Sequence, residues 1–192
     1  MTTRLPIDKR SSKDLWSEQY RRLASEPIAW ISTAEELLRA FNILVPQIEV
    51  DTKQLFEESH VFSNVASVAM MLGAFAIENL LKAIQIEQLG PKFDNRGVFA
   101  IDTHDLLKLT DATNVHLLEE ERILLERLEQ FAKWAGRYPV PLFRDDMRPR
   151  TLPNGGFSPR TVIHVPDDFV AISNFAEKLK SILCSVGNGK SP

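Results

Sequence analysis

The sequence predicts an all-α protein, an antiparallel helical bundle of about five helices with a long proline-rich loop before the last one. Three observations carry this. Apolar residues recur at spacings of three and four, glycine and proline punctuate the ends of those stretches, and the only strand-like pieces fall within residues 137–165. A chain of 192 residues suits one domain with a sizeable core. The expected division is a single unit, 1–192, with a helical core from about 30 to 136, a loop over 137–165 and a C-terminal helix from about 166 to 185.

The first helix is expected from about residue 33, because Ser32 and Glu35 in "STAEELLRAF" stand at capping-box spacing. Pro46 lacks an N–H and crowds the preceding turn, so a kink or break is expected before "QIEVDTKQLFEE". The next helix, about 61–89, has Val65, Ala69, Leu72, Ala76, Leu80 and Ala83 at helical spacing and ends at Gly90-Pro91. Its uncharged run "VFSNVASVAMMLGAFAI" is interrupted by Ser63, Asn64, Ser67 and Gly73. It falls short of the roughly 20 apolar residues of a membrane span, so it reads as the central helix of a bundle and no membrane is expected.

A short helix over about 104–112 follows, capped by Asp102 or Thr103, with Asp105 beside the positive end of its dipole. Leu117, Leu124, Leu128, Phe131 and Ala135 form the stripe of a helix over about 117–135, with Gly136 as its stop. The last helix begins near Pro166, with Asp167 and Asp168 in its first turn and Phe169, Ile172, Ala176, Leu179 and Leu183 on its buried face. The loop between these two helices holds prolines 139, 141, 149, 153 and 159 and the pair Gly155-Gly156, a length that usually signals function. Within it "TVIHV", 161–165, is expected to pair near "PVPLF" as a short β ribbon.

The formal net charge is −3, but residues 133–160 hold Lys133, Arg137, Arg144, Arg148, Arg150 and Arg160 against Asp145 and Asp146. That segment is net +4 and leaves −7 on the rest of the chain. An acidic body with one arginine-rich segment can steer an anionic ligand; equally, the two aspartates can pair with their neighbours in a solvated loop. Cys184 is the single cysteine, which excludes an intrachain disulfide and a thiolate metal cluster. With no apolar stretch behind the charged N-terminus, a cytoplasmic location is expected.

Few residues carry a chemical signal. Glu78 and Lys82 are spaced i, i+4, which reads either as a helix-surface pair or, in so apolar a helix, as a largely buried carboxylate that needs partners, with a structural role or a catalytic or binding one. His104 at a helix start can serve as a base or donate to a carbonyl. Arg137 and Tyr138, next to Trp134, set a planar cation beside aromatic faces, suited to phosphate contact and base stacking, with Arg144 and Asp105 as further binding candidates. The alternative for Arg137 is an ion pair with Glu78 or Asp105 that locks the bundle end. If helices 61–89, 104–112 and 117–135 run up, down and up, Lys82, His104 and Arg137 share one half of the molecule. No HExxH or HxxxH, Walker loop, GxGxxG or GxSxG occurs, so neither metal nor cofactor is expected.

The motifs "ENLLKA" (78–83), "THDLLKL" (103–109) and "WAGRYPVP" (134–141), in this order, resemble the HEPN superfamily over roughly residues 30–140. The resemblance implies a helical bundle that dimerises and a setting among RNases, toxin–antitoxin pairs, nucleotidyltransferase partners and phage defence. Nuclease members carry an Arg followed, after four to six residues, by a His. Here "YPVPLFRDDM" follows Arg137 without one, and neither Arg96–His104 nor Arg160–His164 has that spacing. The expectation is therefore a homodimeric RNA- or nucleotide-binding protein without the usual RNase pair. Two alternatives stay open: a divergent metal-independent RNase using His104 and Arg137 as catalytic residues, and an antitoxin-like or nucleotidyltransferase partner that binds protein through its proline-rich loop.

Overall fold

A computed structural model describes residues 12–58, 65–100, 103–151 and 155–188. The expected cap Asp102, the start of the central helix at 61–64, His60 and Asn154 lie outside the described residues. Six α-helices are described: α1 (Ser12–Ser25), α2 (Pro27–Glu58), α3 (Ala66–Leu89), α4 (Leu106–Thr113), α5 (Glu119–Gln130) and α6 (Asp167–Asn188). The strands β1 (Arg150–Thr151) and β2 (Phe157–Ser158) form an antiparallel ribbon with Arg150 opposite Ser158. The chain is an all-α bundle carrying a short ribbon in its long loop, as its periodicity predicts.

α3 is the axis of the bundle. By length and composition it could cross a membrane, but most of its residues are buried beneath neighbouring helices, chiefly α2 and α6. Met70, Ile77, Leu80, Leu81 and Ile84 are fully buried with Phe41 and Ile48 of α2 and Ile172, Phe175 and Leu179 of α6. A helix apolar on nearly every face needs such company on nearly every side, which explains its central place.

Several element ends differ from expectation for identifiable reasons. α2 begins at Pro27, a residue suited to a first turn, so Ser32 and Glu35 lie in the helix interior and do not cap it. It also runs unbroken through Pro46. Pro46 and Asn42, the residue whose carbonyl loses its partner, are both exposed, so water can take that bond. α1 was not foreseen: Leu15, Trp16, Tyr20 and Leu23 stay largely exposed, so it has no strong buried stripe. Tyr20 ties it to the body, its hydroxyl accepting from the Phe99 N–H at 3.0 Å.

Asp105, expected inside the first turn of α4, is its cap and accepts from the Lys108 N–H at 3.0 Å, while the Thr103 hydroxyl accepts from the Asp105 N–H. α5 passes into a π-helical turn, Phe131–Ala135, closed by Gly136. Gly136 has ordinary negative φ, so the glycine serves packing more than the stop. A Cβ there would stand 2.4 Å from the Met71 Cβ of α3.

The ribbon forms at 150–151 and 157–158, not between "TVIHV" and "PVPLF". The 161–165 segment is engaged elsewhere. The Val162 carbonyl accepts from Arg127, and the His164 N–H donates to Asp168 at 2.8 Å. Arg127 of α5 and Asp168 of α6 form a two-pronged ion pair, both contacts at 2.6 Å. Asp168 is only 3% exposed, so the first-turn aspartate expected to act on a helix dipole also closes a buried ion pair.

Candidate functional site

Glu78 and Lys82 stand one turn apart on α3 and are 5% and 7% exposed. A carboxylate in this position must have its oxygens satisfied, and both are. Oε1 accepts from Lys82 Nζ at 2.7 Å, and Oε2 lies 2.8 Å from His104 Nδ1. Lys82 Nζ also sits 5.5 Å from the centre of the Trp30 ring, a cation over an aromatic face. Trp30 in turn stacks on Phe99, and Phe75 meets the His104 ring edge-on at 6.1 Å.

An ionised carboxylate only accepts, so this network assigns the imidazole proton to Nδ1. Nε2 then has no partner among the described residues, and the side chain is 58% exposed. A buried carboxylate that orients a half-exposed histidine is an arrangement suited to proton transfer.

Arg137 is exposed just beyond the π-helical turn. Its Nη2 donates to the carbonyls of Ala132 at 2.9 Å and Lys133 at 2.7 Å, and its guanidinium carbon lies 5.5 Å from the Tyr138 ring centre. Neither Glu78 nor Asp105, the ion-pair partners considered from sequence, bonds to it among the described residues. Free backbone carbonyls at a helix end compete for the guanidinium, and here they win. Trp134 is half-buried, and its indole nitrogen is shielded without a partner. Arg144 stands exposed in a single 3₁₀ turn, Arg144–Met147.

Gly136 abuts Met71, and His104 abuts Phe75, four residues or roughly 6 Å further along α3. The two candidate groups therefore approach neighbouring turns of the same helix. The end of α5 meets the first turns of α3, not its last as an up-down-up order implies. The connection from Gly90 to Asp105 accounts for this: it folds back through the Phe93–Phe99 bridge and returns the chain to the level of Phe75 before α4 starts.

A second cluster joins α4 to α5. The Glu129 carboxyl is buried beside Asp105, accepts from the Leu107 N–H at 3.2 Å and lies 3.4 Å from Lys133 Nζ. Burial pushes its pKa above the ordinary 4.5, and Asp105 pushes the same way against the Leu107 N–H and Lys133. For Asp105, burial acts upward, but hydrogen bonds from the Lys108 ammonium and N–H outweigh it and hold the group below its ordinary value.

Compared with known proteins, the chain matches no family model, no curated protein and no solved structure. The likeness to HEPN proteins thus rests on the three motifs, which structure places at the Glu78–Lys82–His104 cluster and at the end of α5.

Sequence reasoning missed Trp30, Phe75, Arg127, Glu129 and Gln130. Glu129 and Gln130 carried a detectable signal, two polar residues next to Leu128 and Phe131 where the buried stripe of α5 runs. Arg127 carried none, since its partner lies 41 residues away.

Proposed function

We propose that this chain is a HEPN-like RNA- or nucleotide-binding protein whose contact surface is the segment from Arg137 to Arg148. The observation that carries this reading is an interleaving of cations and exposed rings: Arg137, Tyr138, Phe143, Arg144 and Arg148 all face solvent on one loop. Guanidinium groups that track phosphate and rings on which bases stack are the two components of sequence-tolerant single-strand binding. The Arg137 guanidinium is held by two carbonyls, which lowers the ordering cost of such a contact.

A filter-binding titration against single-stranded RNA at rising salt tests this. Affinity falls linearly on logarithmic axes, and Arg144→Ala reduces the slope by about 1. Absence of binding at low salt overturns the reading.

The Glu78–His104 pair favours a second reading, metal-independent cleavage of RNA with His104 Nε2 as the proton-transfer group. Cleavage of a labelled RNA in the presence of a chelator, abolished by His104→Ala, supports it. Intact RNA after prolonged incubation removes it.

A further inference from the structure

α5 carries an anomaly on the side facing the long loop. Glu129 and Gln130 are 8% and 6% exposed, and between Glu126 and these two the Nε of Arg127 is shielded from solvent with no hydrogen-bond partner among the described residues. Buried polar groups are almost always satisfied, so an unpartnered guanidinium nitrogen at such depth points to an absent ligand or water. Glu129 and Gln130 line a cavity of about 330 Å³ together with Asp105, Glu126, Arg127, Arg150 and Arg160.

The walls of this cavity carry opposite charge. The cap of α4 and helix α5 contribute the carboxyl groups of Asp105, Glu126 and Glu129, beside an Arg127 whose charge is already met by Asp168, whereas Arg150 of β1 and Arg160 just past β2 form the basic side. Arg150 is fixed by Glu126 at 3.1 Å, and Arg160 donates Nε to the Arg148 carbonyl at 3.2 Å, leaving its terminal nitrogens without a partner among the described residues. The ribbon thereby serves as the basic wall of a pocket on α5, which gives the long loop a structural purpose separate from its exposed tip.

We propose that this cavity binds a small zwitterion of amino-acid type, with its carboxylate at Arg160 and Arg150 and its ammonium at Glu129 and the Gln130 amide oxygen. Three observations select that class. The volume is near the small end of ordinary ligand sites, which span roughly 300–1,000 Å³. Among the described residues Leu107 is the one apolar lining residue, and none carries an aromatic ring to hold a nucleobase. The separation of charge across the pocket matches a molecule with one charge of each sign at opposite ends. An ammonium beside Glu129 also relieves the cost of ionising a buried carboxyl next to Asp105. This site stands independently of the RNA-binding surface proposed above.

The experiment is a thermal-shift screen of the full chain against the twenty standard amino acids singly at millimolar concentration, followed by calorimetric titration. At least one is expected to raise the melting temperature, and its N-acetyl and carboxamide derivatives are expected to lose the effect. Arg160→Gln and Glu129→Gln each weaken binding by about tenfold or more. Arg160 is exposed and makes one backbone contact, so the first variant tests the site without disturbing the core. No shift with any amino acid overturns the proposal, as does binding that persists in both variants. A shift with guanosine monophosphate alone, lost in Arg160→Gln, overturns it in favour of a nucleotide site.

Discussion

Two regions of this molecule invert the usual distribution of polarity. In α3, the most apolar helix, Glu78 and Lys82 are buried; in the connection 137–165, Leu142 is 89% exposed and Phe143 and Phe157 are also largely in solvent. The composition of each segment would place these side chains the other way round. Burial of the charges is offset internally, since Glu78 has a partner on each oxygen. Exposure of the loop side chains has no internal offset, because prolines prevent the segment from forming a helix that could fold its apolar face inward. Internal compensation marks a self-contained cluster, and its absence marks a surface awaiting a partner.

The comparison breaks most severely at Glu78. Glu78→Ala leaves the Lys82 ammonium buried without its carboxylate and His104 without its anchor, and costs about 3–5 kcal/mol in urea unfolding, the range for breaking a buried pair. A loss comparable to that of a surface pair would show that the cluster is wetter than its burial implies.

Where the two regions meet, Gly136 joins the end of α5 to α3. Gly136→Ala places a methyl group against Met71 and costs about 1–3 kcal/mol by overpacking, read as a lowered urea midpoint with an unchanged slope. If stability is unchanged, the loop is not positioned by this contact.

The α3 side of the comparison was legible in sequence and the loop side only partly. The uncharged run around Ala69–Ile77 announces a central helix because it has no polar face to turn outward, and the i, i+4 spacing of Glu78 and Lys82 announces their pair. The third member, His104, was named, but its bond to Glu78 depends on how residues 90–105 fold back, which no local periodicity encodes. α1 escaped notice since its apolar residues remain exposed, and the ribbon was misplaced because "TVIHV" has strand propensity but spends its backbone groups on Arg127 and Asp168. Local patterns thus predicted elements well and the bonds between distant elements poorly.

Glu129 sharpens the comparison by a smaller amount, as a buried carboxyl whose partners only partly compensate it. Its folded pKa is raised, so its favourable contribution is complete below the ordinary 4.5 and is lost as pH rises through the folded value. Glu129→Gln keeps an oxygen for the Leu107 N–H and holds the neutral form at every pH. The variant is therefore more stable than the parent at neutral pH and equal to it near about pH 4, as melting temperatures at the two values would reveal. A parent that is the more stable at neutral pH would mean that Lys133 outweighs burial and Asp105.

The smallest effect on stability belongs to the loop. Leu142 and Phe143 bury little against the body, so Leu142→Ser with Phe143→Ser leaves the unfolding free energy within about 0.5 kcal/mol of the parent. The same pair of changes removes an apolar anchor and a ring from the proposed contact surface, so RNA affinity falls while the salt slope, set by phosphate contacts, stays constant. This separates two uses of one surface. If affinity for RNA is unaffected and solubility rises, the exposed side chains serve a protein partner, and the arginines alone carry the nucleic-acid contact.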